Sequence, residues 1–325
     1  MRILMLTRFY LNGQTTHVLE LCRTLQQKGH RVFLVISRLD HPGFAQWLRD
    51  RHIPFSRTDR PSSLVHRFSA LGFDVIHNHS AHTLHDSLQL SRSLKIPVVA
   101  TCHYLDFEPL EALGTADAVV AISEEMAAQL PLPPHKVRTV ENGVPIPYNV
   151  NLSRRPQAAV ILARATDSRR TAYARLTDIL LEQGWRVAAA GGWRHPSAVT
   201  LGWTQNPQPL LERARLVVGT GRAIREGMAC GCVGLVLGEL LDGIVTPDNV
   251  EMLRWANFSG RAMKKEPTPE NIRDELGKLS DWGVERLMRF SRAYAVEHFG
   301  ISQMADALTA IYLEVIGRGK AGGSV

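Results

Sequence analysis

Short, almost continuous apolar runs alternate with amphipathic segments along most of this 325-residue chain. The first two runs, Arg2–Tyr10 and Arg31–Ser37, enclose a helical segment, His17–Lys28, whose apolar residues recur at helical spacing. Strands that are apolar throughout need cover on both faces, and helices between consecutive strands supply that cover. The pattern therefore predicts an α/β fold built on parallel sheets.

A break interrupts this alternation near the middle of the chain. Residues Asn149–Pro156 are polar and contain proline, and the alternation restarts with a strand at Ala158. The length also favours two domains, at roughly 100–200 residues per domain. We predict a first domain over 1–150, a second over 151–296, and a C-terminal helix with a frayed tail over 297–325.

Composition narrows the class of protein. No apolar stretch approaches the roughly 18 residues of a membrane span, and the N-terminal run is too short and too charged for a signal peptide. Four cysteines without zinc-type spacing indicate reduced thiols, so we expect a cytoplasmic protein. The net charge of +7 favours phosphates or an anionic membrane surface as partners, or is simply a soluble basic surface. No arginine-rich run with interleaved aromatics indicates nucleic acid.

In parallel sheets, ligands bind beyond the carboxyl ends of the strands, so the residues that follow strands are candidate site residues. Gly13 and His17 lie between the first strand and the first helix, although a plain turn capped by Thr15 or Thr16 also fits. His103 closes a later strand, where an imidazole can bind a hydroxyl or a phosphate, act as acid or base, or be structural.

Four histidines, His77, His79, His82 and His85, fall within nine residues. The first pair shares a strand face and the second pair shares a helix face, so the four need not converge. No cysteine or well-spaced carboxylate accompanies them. We therefore expect no metal, and interpret this segment as the polar end of a strand.

The second half has two candidate anion sites. Arg164, Arg169 and Arg170 follow its first strand, and guanidinium groups suit phosphate recognition, although a solvated turn is the alternative. Gly219, Thr220 and Gly221 end a later strand before a helix that carries Arg222 and Glu226. Backbone amides at such a helix start can hold a diphosphate.

These stretches follow one another in an order that resembles family-4 glycosyltransferases, which have the GT-B architecture of two Rossmann-like domains facing a cleft. The resemblance spans almost the whole chain. The segments that carry it are Gly29-His30-Arg31-Val32, Asp74-Val75-Ile76-His77-Asn78-His79, Pro97–His103, Ala116–Ser123, Val140-Glu141-Asn142-Gly143-Val144, Glu226-Gly227-Met228-Ala229-Cys230-Gly231 and Glu297-His298-Phe299.

The resemblance implies a role for each matching residue. Arg164, with Arg169 or Arg170, would hold the diphosphate of a nucleotide-sugar donor, and Glu226 would bind the donor ribose. His103 would approach the transferred sugar, and Gly13 would lie near phosphate and acceptor. The C-terminal helix would return to the first, acceptor-binding domain.

One position departs from the family pattern. The family usually has a glutamate eight residues before the one that matches Glu226, and this chain has Val218 there. That glutamate normally contacts the donor sugar, so the departure bears on donor identity and on stereochemistry.

The sequence as a whole favours a metal-independent glycosyltransferase that moves a sugar, with retention, from a nucleotide-diphosphate sugar, UDP or GDP, to a glycan, lipid-linked or small-molecule acceptor. No cofactor is expected. Cell-envelope polysaccharide synthesis at the inner face of a membrane is a suitable setting. The alternatives are a non-catalytic nucleotide- or partner-binding protein and a sugar-nucleotide epimerase on the same fold.

Overall fold

The computed structural model describes residues 1–164 and 166–321. Its strands are β1 Arg2–Phe9, β2 Arg31–Leu39, β3 Phe55–Arg57, β4 Val75–Asn78, β5 Val98–Cys102, β6 Ala118–Ala121, β7 Val137–Thr139, β8 Ala158–Leu162, β9 Arg186–Ala190, β10 Val199–Thr200, β11 Leu216–Gly219, β12 Val233–Leu237 and β13 Leu241–Ile244. Its α-helices are α1 Gly13–Gln27, α2 Pro42–Asp50, α3 Val65–Leu71, α4 Ala81–Leu94, α5 Leu110–Gly114, α6 Glu124–Gln129, α7 Asp167–Glu182, α8 Gln208–Leu211, α9 Arg222–Ala229, α10 Val250–Trp255, α11 Pro269–Trp282, α12 Val284–His298 and α13 Ile301–Ala321.

The chain forms two compact units, each with its own sheet. Unit 1 contains residues 1–142 and 301–325, and unit 2 contains residues 143–300. The division thus falls after Asn142 and Gly300 rather than after residues 150 and 296. Backbone pairing between Val144 and Gly300 places both of these residues in unit 2.

The sheet of unit 1 has seven parallel strands in the order β3-β2-β1-β4-β5-β6-β7. The strand order reverses between β1 and β4, and ligands in such sheets bind beyond the carboxyl ends of the strands at this reversal. Helix α1 covers the sheet with the predicted apolar face of Val18, Leu21, Cys22 and Leu25, which are all fully buried.

Helix α1 begins four residues earlier than the sequence pattern predicted. Asn12, rather than Thr15 or Thr16, caps it, because the Asn12 Oδ1 atom accepts a hydrogen bond of 3.1 Å from the Thr15 amide. An asparagine at this position satisfies an amide that would otherwise lack a partner. Gly13 therefore lies in the first turn of the helix rather than in a loop.

Helix α13 belongs to unit 1 and packs against α1. It is anchored by Lys28 on Asp306 at 2.7 Å and by Arg138 on Glu314 at 2.7 Å. The helix extends through Gly319, where the sequence predicted a frayed tail, to Ala321. The rest of that predicted tail, 322–325, lies outside the described residues.

The sheet of unit 2 has the order β10-β9-β8-β11-β12-β13, and its strand order reverses between β8 and β11. One edge differs from the parallel sheet that was predicted, because β13 runs antiparallel to β12. Only Gly238, Glu239 and Leu240 separate these strands. Such a short connection allows a hairpin but no parallel crossover.

Two further segments of unit 2 are each shaped by one residue. Gly283 adopts φ +76° and separates α11 from α12. Residues Asn149–Pro156 are attached to the rest of unit 2 through Arg155. This side chain is buried and donates hydrogen bonds to four backbone carbonyls.

All four cysteines are buried free thiols, and burial raises their pKa, to about 12 for Cys102 and Cys232. At pH 8 such a thiol is ionised in on the order of one molecule in 10⁴, and the thiolate is the reactive form. We expect iodoacetamide at pH 8 to leave the folded protein unlabelled while the urea-unfolded chain takes four equivalents, as counted by intact mass. Rapid labelling of the folded protein would contradict this burial.

No helix within the described residues is long and apolar enough to cross a membrane.

Candidate active site

In unit 1, the segments that follow β1 and β5 meet beyond the ends of their strands. The Asn12 side-chain amide donates a hydrogen bond of 3.1 Å to the Tyr104 hydroxyl. That hydroxyl in turn donates one of 3.2 Å to Gln14 Oε1. The Gln14 side chain also donates to the backbone carbonyl of His79, at the end of β4. Gly13 lies between two of these connected residues.

Three histidines converge at the same edge of the sheet. His17 is on α1, His79 follows β4, and His103 follows β5. The ring centroid of His17 lies 5.0 Å from that of His103 and 5.5 Å from that of His79, and the latter two rings are 5.5 Å apart. His79 Nδ1 and His103 Nε2 are separated by 3.2 Å. The predicted site residues His17 and His103 are thus neighbours.

His79 joins this group, which the sequence reasoning did not anticipate. It lies one residue beyond β4, and its ring lies against that of His77, with centroids 3.9 Å apart and planes tilted by 43°. His82 and His85 lie on α4, where both are exposed. The four histidines that are clustered in sequence therefore do not form one group in the structure. Only His79 joins the two histidines from elsewhere in the chain, His17 and His103.

Burial favours the uncharged form of three of these imidazoles. It lowers the pKa of His77 and His103 to about 3, and that of His79 falls well below its ordinary value, with the neighbouring histidines contributing to the shift. A neutral imidazole has one donor and one acceptor nitrogen. His79 and His103 can therefore exchange hydrogen bonds with a neutral hydroxyl near neutral pH.

A buried polar network links this cluster to helix α13. His77 Nδ1 lies 2.6 Å from the Tyr312 hydroxyl, and His77 Nε2 lies 2.8 Å from Thr101 Oγ1. All three side chains are almost inaccessible to solvent. The C-terminal helix thus fixes the orientation of His77, whose ring contacts that of His79.

A pocket of about 300 Å³ opens beside the histidines. Its wall combines imidazole, amide, carboxylate and phenol groups with one buried aromatic ring. The lining residues are Tyr10, Gln14, His79, Ser80, Ala81, His82, His103, Tyr104, Asp106 and Phe107. A pocket with several hydroxyl-binding groups and exposed aromatic edges suits a small polyhydroxylated ligand.

In unit 2, the turn after β11 is built for close backbone approach. A Cβ atom at Gly219 would lie 2.6 Å from the Leu162 carbonyl oxygen at the end of β8. Gly221 adopts φ +55°, which favours glycine, and is the N-cap of α9. The ends of β8 and β11 are therefore in direct contact where the strand order reverses.

Not every amide at this helix start is available to an anion. The Gly221 amide donates a hydrogen bond of 2.8 Å to the Phe258 carbonyl, and the Ala223 amide donates one of 3.2 Å to Thr220. The helix dipole of α9 still favours a negative charge at this position.

Arg222 and Glu226 form an ion pair on α9, with Nε and Oε1 2.7 Å apart. Arg222 also donates a hydrogen bond of 3.0 Å to the Gly143 carbonyl. The two side chains are mostly buried, with exposed fractions of 9% and 15%. The pair positions the Glu226 carboxylate one turn into the helix, beyond the Gly-Thr-Gly turn.

The three predicted arginines occupy different environments. Arg164 is exposed just beyond β8 and pairs through its backbone with Gly192, beyond β9. Arg169 is half-buried beside Gly238. A Cβ atom at Gly238 would lie within 4.0 Å of both Arg169 Cζ and Thr220 Cγ2, so these two side chains lie on the same side of that glycine. Arg170 is exposed and paired with Asp167 at 3.1 Å. The structure thus brings Arg169, rather than Arg170, to the Gly-Thr-Gly turn.

Two observations bear on carboxylates near this turn. Val218 is fully buried within β11, where it pairs with Leu235 and Ile161, so this position is part of the core. Glu239, in the hairpin after β12, accepts a hydrogen bond of 2.9 Å from Ser168. Sequence reasoning missed Glu239, because the short β12–β13 turn that places it near the arginines was not predicted.

Comparisons with known proteins identify the fold. Residues 11–146 match the family profile of Glycosyltransferase Family 4. HepE of Anabaena, solved with UDP and glucose, superposes with a TM-score of 0.70 at 15% identity, over 97% of this chain and 100% of that one. The fold is GT-B.

Other GT-B structures are similarly distant in sequence. A glycosyltransferase from Rickettsia africae gives a TM-score of 0.72 at 14% identity, covering 97% of this chain and 98% of that one. UDP-GlcNAc 2-epimerase from Neisseria meningitidis, bound to UDP-GlcNAc, gives 0.63 at 12% identity, covering 97% and 100%. No curated protein sequence matches the chain significantly. The GT-B fold is therefore established, and activity must be argued from the site.

Proposed function

We propose that this protein is a glycosyltransferase that moves a sugar from a nucleoside-diphosphate sugar to an acceptor hydroxyl. The observation that carries the proposal is in unit 2. The ends of β8 and β11 touch at the reversal of strand order, and Arg164, Arg169 and the start of α9 surround that point. Cationic groups and a helix dipole are what a diphosphate leaving group requires.

Each unit 2 residue has a distinct part in this proposal. The guanidinium groups of Arg164 and Arg169 bind diphosphate oxygens and stabilise the negative charge that develops as the glycosidic bond breaks. Glu226 accepts hydrogen bonds from ribose hydroxyls, while its ion pair with Arg222 holds the carboxylate in place. No metal is needed at the diphosphate in this scheme, because the arginines neutralise it.

The pocket of unit 1 is proposed to bind the acceptor. Its neutral histidines, the Tyr104 hydroxyl and the Gln14 amide suit the hydroxyl groups of a sugar. His103 is the catalytic candidate, as a neutral imidazole that hydrogen-bonds a reacting hydroxyl. The match of residues 11–146 to Glycosyltransferase Family 4 covers this region and is the reason to propose retention of configuration.

Two other functions would give different results in the same assay. The likeness to a UDP-GlcNAc 2-epimerase suggests epimerisation as an alternative activity. Epimerisation would yield an isomeric donor, and adding an acceptor would release no nucleoside diphosphate. A non-catalytic protein would bind the nucleotide without any product.

The test is incubation with UDP- and GDP-sugars, UDP-sugars first because HepE was solved with UDP. Glycan and lipid-linked acceptors are supplied, and products are identified by mass spectrometry and by NMR of the anomeric proton. The proposal predicts acceptor-dependent release of the nucleoside diphosphate and a new glycoside. An epimerised donor, or tight binding with no product from any donor, would overturn it.

A further inference from the structure

The cluster of His17, His79 and His103 has the dimensions of a metal centre. One ring nitrogen of each residue lies within 4.8 Å of those of the other two. In a tetrahedral site with metal–nitrogen distances of roughly 2.0–2.1 Å, ligand nitrogens lie about 3.4 Å apart and ring centroids about 5.2 Å apart. The observed nitrogen separation of His79 and His103 is 3.2 Å, and the three centroid separations are 5.0, 5.5 and 5.5 Å.

We propose that these three histidines bind one divalent transition-metal ion, with Zn²⁺ as the first candidate. Three imidazoles are a ligand set that suits zinc, cobalt, nickel or copper, and are poorly suited to magnesium or calcium. Carbonyl and carboxylate ligands, which the latter ions prefer, do not belong to this cluster. The proposal departs from the sequence-based expectation that the chain holds no metal.

The surroundings of the cluster fit a bound ion. His17 and His79 are almost fully buried. The two nitrogens with ligand spacing are His79 Nδ1 and His103 Nε2. His79 and His103 also line the 300 Å³ pocket, from which a fourth ligand can come.

Neighbouring residues hold His79 in place. Its backbone carbonyl accepts a hydrogen bond from Gln14, and its ring lies against that of His77, which is fixed by Tyr312 and Thr101. Metal sites depend on such outer contacts to orient their ligands. Three protein ligands with the fourth position toward a pocket are typical of zinc sites that bind water or a ligand oxygen. The ion would therefore hold a hydroxyl or phosphate oxygen in the unit 1 pocket.

The test uses the full-length, untagged protein without any nucleotide. The protein is stripped with EDTA, reloaded with Zn²⁺ or Co²⁺, and freed of excess ion. Metal content is measured by mass spectrometry, and the Co²⁺ form is examined for visible d–d absorption. We expect one equivalent of metal, the absorption of a four-coordinate Co²⁺ site, and an X-ray absorption spectrum of the zinc form with three imidazole ligands.

Variants locate the site. His17→Gln and His103→Asn should each weaken Zn²⁺ binding by more than the roughly 10–100-fold lost with an outer-shell partner. His82→Asn, in the same pocket, and His85→Asn, on the exposed face of α4, should keep one equivalent. Circular dichroism of the metal-free variants checks that they fold.

The proposal is overturned if the wild type retains less than about one tenth of an equivalent of Zn²⁺ or Co²⁺ after excess ion is removed. It is also overturned if the X-ray absorption spectrum lacks imidazole ligands, or if folded His17→Gln and His103→Asn bind as the wild type does. The wild-type spectra need no variant, so the test stands even if a substitution prevents folding. The readout involves unit 1 and no donor, so it is independent of whether the proposed transferase activity is found.

Discussion

Arg164→Ala is expected to weaken binding of the preferred nucleoside diphosphate by roughly 10–150-fold, because hydrogen bonds to a charged group contribute about 1.5–3 kcal/mol. Arg164 is exposed just beyond β8, so its removal leaves no buried group unsatisfied, and the unfolding temperature should not change. Calorimetric titration of the nucleotide measures the effect directly.

The matched control is Arg186→Ala, at the amino end of β9, whereas Arg164 follows the carboxyl end of β8. It removes the same positive charge from unit 2. A loss of nucleotide affinity that is common to both variants therefore reflects the net charge of the unit rather than a direct contact. Equal binding by Arg164→Ala and the wild type would remove Arg164 from the proposed diphosphate site, and Arg169→Ala would then be the variant to examine.

Arg155→Ala is expected to lower the free energy of unfolding by at least about 3 kcal/mol. The Arg155 guanidinium donates to the carbonyls of Asn151, Leu211, Ala214 and Cys230, at 2.7–3.3 Å, and its side chain is almost fully buried. Truncation leaves these acceptors without their donor and opens a cavity. Thermal unfolding followed by circular dichroism should show a midpoint lower by roughly 6–12 °C.

The neighbouring Arg154→Ala is the control, because Arg154 is exposed and its change should stay within about 0.5 kcal/mol. A midpoint for Arg155→Ala within 2 °C of the wild type, a shift of roughly 1 kcal/mol or less, would mean that Asn149–Pro156 behaves as the plain linker that its composition predicted. It would also mean that the carbonyls find water when the guanidinium is removed.

Local patterns were enough to predict the α/β fold and the strand ends that carry the candidate residues. An apolar run such as Val233–Leu237 is a buried strand because no polar residue interrupts it. The antiparallel β13 was missed because Asp242 and Gly243 interrupt any apolar run in Leu241–Ile244. The short turn before it is the one local signal of a hairpin.

The composition of the site depends on strand order, which local patterns do not contain. His17, His79 and His103 meet because β4 lies between β1 and β5 in the sheet. Tyr312 reaches His77 across 235 positions of sequence, and no periodicity relates them. The choice of Arg169 over Arg170 likewise depends on the Gly238 hairpin, which lies about 70 residues further along the chain.

The most direct test of the proposed donor site is calorimetric titration of the wild type with UDP, GDP, ADP and CDP, repeated with Glu226→Ala and Glu226→Gln. We predict micromolar binding of one of the four. We also predict at least about tenfold weaker binding by Glu226→Ala, which loses its hydrogen bonds to ribose. The affinity of Glu226→Gln, which keeps an oxygen within reach of Arg222, should lie between those of the wild type and Glu226→Ala. Absence of binding by all four nucleotides, or full affinity in Glu226→Ala, would contradict the assignment of the donor site to unit 2.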